Sequence, residues 1–251
     1  MKTYARIGKT AGLVLLIFFL AGLLATANDF SDKKTVAADR TKTEEERIGA
    51  IYDLGAWADT SAVAVLLKIL QDRSEDSRIR RSAVTALAAL GAPRAQIINA
   101  FRIAYHESDG GKNLRYTILY SLGEMKAVEA INLLSTALSS DDNMIRLKSA
   151  QALGTLQSED ALLLLAAHLT KEGDYMVRAA AVRAVGQSKT AFAENILVTY
   201  LRSDPSPLVR NNAAIMLGTF FPWQSSTKAA LQAALADESE TVRETVRRIL
   251  P

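Results

Sequence analysis

From residue 43 onward the apolar positions alternate between two patterns, and the pair of patterns returns about every 32 residues. The first pattern is clearest in IRLKSAQALG (145–154) and VRNNAAIMLG (209–218). Its apolar residues fall three and four apart, the period of an amphipathic helix. Each copy carries an arginine, at Arg47, Arg80, Arg115, Arg146, Arg178, Arg210 and Arg243, spaced by 33, 35, 31, 32, 32 and 33 residues. An apolar residue precedes the arginine in six of the seven copies, Glu46 being the exception. Four residues before the arginines stand Thr43, Asp76, Gly111, Asp142, Asp174, Ser206 and Ser239. All belong to the set that caps helix N-termini. Thr43 with Glu46 makes a capping box, and Ser206-Pro207 puts proline at the first helical position. Eight residues after the arginines come Gly55, Ala88, Gly123, Gly154, Gly186, Gly218 and Pro251. Glycine and proline at one register predict that each helix stops there, with the second copy running one turn further to Gly91.

A second helix is expected after each stop. Leu70, Leu138, Leu169 and Leu201 share one register, Leu66, Leu134, Leu165 and Leu197 lie one turn earlier, and Ala62, Ala130, Ala161 and Ala193 one turn earlier again. They form one apolar stripe with small residues where helices approach closely. The sixth copy matches after a two-residue insertion, at Thr227, Leu231 and Leu235. A lone first helix from Ser239 to Leu250 closes the series, and Glu244, Arg247 and Arg248 give it the polar outer side that a terminal repeat needs. The reading is an all-α solenoid of about six and a half helix–turn–helix repeats over 43–251.

The pattern VRxxAxxALG followed by an Ala/Leu helix resembles the HEAT repeat, in the short form named after phycobilisome lyases, from Thr43 to Pro251. The resemblance is specific for fold and weak for function, because the repeat serves many roles. It implies that the arginines, from Arg47 through Arg243, contribute polar contacts between neighbouring repeats. The chemistry agrees, since a guanidinium offers five donors while its stem packs. It also implies an inner face lined by the second helices, where Lys68, Asn132, Thr136, Asn195 and Thr199 would make a neutral, mildly polar groove suited to a protein or peptide. Two further features fall outside the repeat. Phe220, Phe221 and Trp223 in GTFFPWQSS either fold back over the last core or anchor a partner. Tyr105, Tyr116 and Tyr120, with Phe101, read as core or ridge-packing residues.

Charge and the N-terminus change the picture in one respect. The chain of 251 residues carries a net +3, with 30 basic and 27 acidic residues. Three of the basic ones, Lys2, Arg6 and Lys9, precede an apolar run from Ala11 to Ala25 and a small-x-small site, Ala25-Thr26-Ala27. That is the pattern of a secretory signal peptide cut after Ala27, with an uncut membrane anchor as the alternative. The remainder is formally neutral, with no basic stripe for nucleic acid. Residues 28–42 are polar and read as a flexible linker.

No catalytic centre emerges. There is no cysteine, and neither His106 nor His168 has a carboxylate or second histidine at metal-ligand spacing on its own helix. DGGK at 109–112 lacks the first glycine of a phosphate loop and reads as a turn. Iron-dependent hydroxylases of the HEAT type need several His-Glu pairs, and only His106-Glu107 is present. The expectation is an exported bacterial HEAT-like scaffold, periplasmic and without cofactor, that binds a protein and touches a membrane only if its leader is uncut. A lyase or cofactor-loading chaperone and an inner-membrane-anchored structural protein are the alternatives.

Overall fold

The computed structural model describes residues 29–107, 111–222 and 224–250. The export segment, Trp223, and Asp109 and Gly110 of the DGGK turn lie outside the described residues, so the expectations placed there are not addressed by it. Among the described residues the chain is helical and has no strand. Two compact units divide it between Pro93 and Arg94. The first holds α1 (29–38), α2 (Glu44–Ala56), α3 (Val63–Gln71) and α4 (Ser77–Leu90). The second holds α5 (Arg94–His106), α6 (Gly111–Glu124), α7 (Ile131–Leu138), α8 (Asn143–Leu156), α9 (Glu159–Leu169), α10 (Tyr175–Gly186), α11 (Ala191–Ser203), α12 (Pro207–Phe220), α13 (Ser225–Ala234) and α14 (Glu240–Ile249). Within each unit the helices stack as an all-α solenoid, with α2, α4, α6, α8, α10, α12 and α14 as the first helices of successive repeats.

The helix starts follow the caps. Thr43 and Glu46 close a reciprocal capping box, and the carboxylates of Asp76, Asp142 and Asp174 accept backbone N–H groups of the turn that follows. Ser206 and Ser239 hold the cap position without a side-chain bond, and Pro207 opens α12. The leucine and alanine stripe of the second helices is buried in every repeat where it was read. The sixth repeat departs at one point. Leu235 lies at the end of α13 and is 40% exposed, and Ala234 takes its place in the core.

Three expectations are corrected. The segment expected to be a flexible linker is helical over 29–38, and Phe30 and Ala37 are buried. Lys33 pairs with Asp53 at 2.5 Å, and Arg47 Nε donates to the Ala37 carbonyl at 3.1 Å. Ala37 stands ten residues before Arg47, as Leu70 stands ten before Arg80 and Tyr105 ten before Arg115, and each carbonyl accepts the same Nε. Helix α1 is therefore the second helix of an incomplete repeat. Its polar surface hid an apolar pair seven residues apart.

The second correction concerns the glycines. Gly55, Gly123, Gly154 and Gly218 lie inside their helices, which continue one or two residues further, and Gly186 is the last residue of α10. Gly91, at φ +65°, ends α4 in the left-handed conformation, one turn past the shared register, and Gln157, at φ +51°, ends α8 the same way. What the register shares is proximity. A Cβ on Gly55 would stand 2.8 Å from Ala86 Cα, one on Gly123 3.1 Å from Ala152 Cα, one on Gly154 2.8 Å from Ala184 Cα, and one on Gly186 2.8 Å from Met216 Cβ. At Gly218 the obstructing group is Ile249. These glycines let the first helices of adjacent repeats approach closely, against backbone at Gly55, Gly123 and Gly154 and against a side chain at Gly186 and Gly218.

In the second unit that contact sets the direction of bending. The first helices α6, α8, α10 and α12 pack along their length, whereas the second helices α7 and α9 meet over a shorter stretch. The first helices thus occupy the tighter, inner side. The expectation that second helices line the inner face is overturned for this unit.

Candidate functional site

The side chains that hold the stack come first, because they position everything else. Arg146 lays its Nε and one terminal nitrogen against both oxygens of Glu172, at 2.8 and 2.9 Å, and gives the other to the carbonyls of Ser140 and Asp141. Arg178 repeats this with Asp204 at 2.8 and 3.1 Å, and with the carbonyls of Glu172 and Gly173. Arg210 does so with Asp237 at 2.8 Å on both bonds, and with the carbonyls of Asp204 and Pro205. In the first unit Arg47 meets Glu75 at 3.0 and 2.6 Å. Each acid lies 26 to 28 residues downstream, in the turn of the next repeat. There it also accepts a backbone N–H of the helix cap, from Asp76, Asp174, Ser206 or Ser239. One guanidinium thus ties the turn of its own repeat to that of the next, in the bidentate geometry that makes such pairs specific. Arg80 donates to the Leu70 carbonyl. Arg115 donates to the carbonyls of Tyr105 and Glu107, and Arg243 to those of Asp237 and Glu238 and to the Glu240 carboxylate.

The repeated acids are buried. Burial alone would raise the carboxyls of Glu172 and Asp237, yet the arginine bonds and cap N–H groups outweigh it and hold both below the usual carboxylate range. A second partner at Glu172 was not expected. His168, the buried histidine of α9, places Nε2 2.6 Å from Glu172 Oε2, although without hydrogen-bond alignment. Burial lowers the His168 pKa, and the nearby carboxylate opposes that shift. The pair was invisible on one helix because α9 ends at Leu169 and Glu172 lies in the turn. It belongs to the inter-repeat joint. No group of three or more His, Asp or Glu residues suited to a metal occurs among the described residues.

On the inner side of the second unit, α6, α8, α10 and α12 line a groove of about 480 Å³. The residues two, five and nine places after each ladder arginine share one helix face and point into it. The repeats differ at each of these registers. At the second place stand Lys148, Ala180 and Asn212; at the fifth, Tyr120, Gln151 and Arg183; at the ninth, Glu124, Thr155 and Gln187. Met176 and Leu208 stand two places before the arginine at the groove edge, 47% and 41% exposed. Tyr120 is 59% exposed. Lys148, Arg183 and Glu124 are accessible, and none makes an ion pair or hydrogen bond among the described residues. The groove combines an exposed aromatic ring, two apolar side chains, two cations against one anion, and three carboxamides from successive repeats. The sequence signal was the unlike residues that these three registers carry from repeat to repeat, beside the constant arginine and glycine.

Of the residues expected to bind a partner, Asn195 and Thr199 line a groove of about 530 Å³ beside α11 and Asn132 lines another against α9, while the rest are dispersed. Asn132, Thr136, Asn195 and Thr199 are exposed on α7 and α11, on the outer side. The two threonine hydroxyls donate to the carbonyls of Asn132 and Asn195 on their own helices. Lys68 is exposed on α3 in the other unit. Phe221 is buried and offers no anchor, and Phe220 is half-buried with Lys189 Nζ 4.9 Å from its ring centroid. Of the tyrosines, Tyr105 is core as expected and Tyr116 is half-buried, with its hydroxyl 3.4 Å from Asp142, but Tyr120 is a groove residue.

Repeats of this form define the protein class. The family model described as HEAT repeats matches residues 35–98, 99–186 and 164–250, and the chain belongs to that family. Comparison with curated proteins gave no match. Among solved structures, the complex of CpcE and CpcF of phycocyanin lyase from Nostoc sp. PCC7120 is similar, with 20% identity over 86% of this chain and 93% of that one and a TM-score of 0.50. Human deoxyhypusine hydroxylase in complex with glycerol is 20% identical over 91% and 96% of the respective chains, with a TM-score of 0.41. Likeness at this identity shows the fold alone. HEAT repeats generally mediate contacts between proteins.

Proposed function

We propose that this protein is a non-catalytic scaffold that binds a protein partner in the inner groove of its second unit. One observation carries the reading. The groove registers are among those where the repeats diverge, and they present Tyr120, Lys148 and Arg183 without partners among the described residues. A register used only for stacking has no need of unpaired cations beside exposed apolar side chains, and such mixtures characterise interaction surfaces. The sequence of residues 1–27 adds a place, export to the periplasm of a bacterial envelope with cleavage after Ala27.

Site-specific photocrosslinking in the native envelope tests this. A photoreactive residue at Gln151 or Ala180 is expected to trap one defined protein, while the same residue at Thr136 on α7 traps none. Equal trapping from both sides, or none from the groove, overturns the groove as the binding face. N-terminal sequencing of the exported protein tests the location, with a start at Asn28 expected. A start at Met1 would make the protein membrane-anchored.

A further inference from the structure

We infer that the groove of the second unit receives an extended, acidic, proline-containing peptide segment in polyproline II conformation; this rests on the scaffold reading above and specifies its partner. Three independent observations converge. The first is the carboxamide series. Gln151 on α8, Gln187 at the end of α10 and Asn212 on α12 come from three successive first helices and line one groove. A carboxamide offers both a donor and an acceptor, which matches the N–H and C=O groups of a peptide backbone that makes no hydrogen bonds of its own; Asn212 Nδ2 also donates to the Ala179 carbonyl at 3.5 Å, so Gln151 and Gln187 carry most of this match.

The second is spacing. Packed helices lie about 8–10 Å apart. Three residues of polyproline II, at about 3.1 Å each, advance by about 9 Å and complete one turn, so every third residue faces the same way. A β-strand covers a similar distance in three residues, but its side chains alternate with a period of two, so residues three apart face opposite ways. The helix repeat therefore suits a three-residue register and not a strand. An exposed ring at one end of the groove, Tyr120, provides the kind of aromatic surface on which proline-rich segments dock.

The third is charge. Lys148 and Arg183 lie on adjacent first helices, one repeat apart, and neither is neutralised among the described residues. Glu124 is the one acid among the groove residues. Two cations one repeat apart select two carboxylates three residues apart in the ligand, with Met176 and Leu208 receiving the apolar side chains near them. A groove of about 480 Å³ has the size of a site for a few residues.

The full chain, with a fluorescent (Glu-Pro-Pro)3 peptide followed by anisotropy at low salt, provides the test. Binding is expected, with at least tenfold weaker affinity for (Lys-Pro-Pro)3 and for (Glu-Gly-Gly)3, which keeps the charges but not the stiff helix. The double variant Lys148→Glu/Arg183→Glu, at one half-buried and one exposed site, should lose (Glu-Pro-Pro)3 binding at least tenfold and gain (Lys-Pro-Pro)3, with its helical circular dichroism unchanged. Arg202→Glu, on α11, should leave both affinities as they are. Absence of (Glu-Pro-Pro)3 binding, equal binding of the glycine peptide, or binding indifferent to the double reversal overturns the peptide proposal. If groove crosslinks to a protein persist in that case, the scaffold reading survives and only the ligand class is wrong. If the crosslinks are also absent, both fail.

Discussion

Arg178→Ala tests the stacking argument most directly. The guanidinium bridges Asp204 in the next repeat to the carbonyls of Glu172 and Gly173. The pair is buried, with side-chain exposures of 11% for the arginine and 2% for the aspartate. Truncation leaves the Asp204 carboxylate with the Ser206 N–H at 2.8 Å and without its countercharge. Removing one member of a buried ion pair costs about 3–5 kcal/mol, because the other charge is stranded. Alanine's helix propensity returns only a few tenths of a kcal/mol. A domain of this size loses about 2–4 °C of melting temperature per kcal/mol, so a fall of about 10 °C is expected. Hydrogen exchange should place the loss at α10–α12, since each repeat leans chiefly on its neighbours. Arg178→Met/Asp204→Asn keeps an acceptor for Ser206 N–H and strands no charge, and it should lose less than half as much. Melting of Arg178→Ala within about 1 °C of the parent would show that the pair contributes nothing net to the stack.

Other outcomes follow from the same geometry. Gly154→Ala drives a methyl into Ala184 and should lower stability by about 1–2 kcal/mol despite the better helix propensity. Gly49→Ala, on the same kind of helix with open space around it, should instead raise stability by about 0.5–1 kcal/mol; urea titration of both variants reads the sign, and a shared sign defeats the close-packing explanation. His168 has its pKa held below the ordinary 6.5 by burial, so its contribution is present above that value and is lost as pH falls below it. Glu172, held below 4.5 with Arg146 its main stabiliser against burial, loses its contribution at lower pH still. Melting temperature should therefore drop between pH 7.5 and 5.5, and His168→Gln should flatten that slope; a parent protein that gains stability on acidification contradicts the assignment. Deleting residues 29–38 removes the Ala37 carbonyl from Arg47 and should speed amide exchange in α2 while leaving α10–α12 unchanged.

Much of the fold was legible because its determinants are local. Caps at Thr43, Asp76, Asp142 and Asp174 and the leucine stripe of the second helices each act within a turn or two of their own residue. Their recurrence announced the stack, and the family match agrees. Helix α1 escaped because its surface is charged and only Phe30 and Ala37 face inward. The groove escaped for a different reason. Arg183, alone, looked like an ordinary surface charge, and nothing within its own helix shows that it lies in line with Lys148 and Tyr120.

The sequence by itself determined the repeat, its period, the ends of most first helices at their caps, and the arginine register. Only the tertiary structure decided which face of the second unit is the inner one. That depends on how closely helices about thirty residues apart approach one another. The glycines at 154 and 186 read from sequence as helix stops, and only Ala184 and Met216 seen against them show contact points. Absence of a Cβ draws the first helices together, the second helices splay, and residues at the variable registers of α6, α8, α10 and α12 come to share one groove.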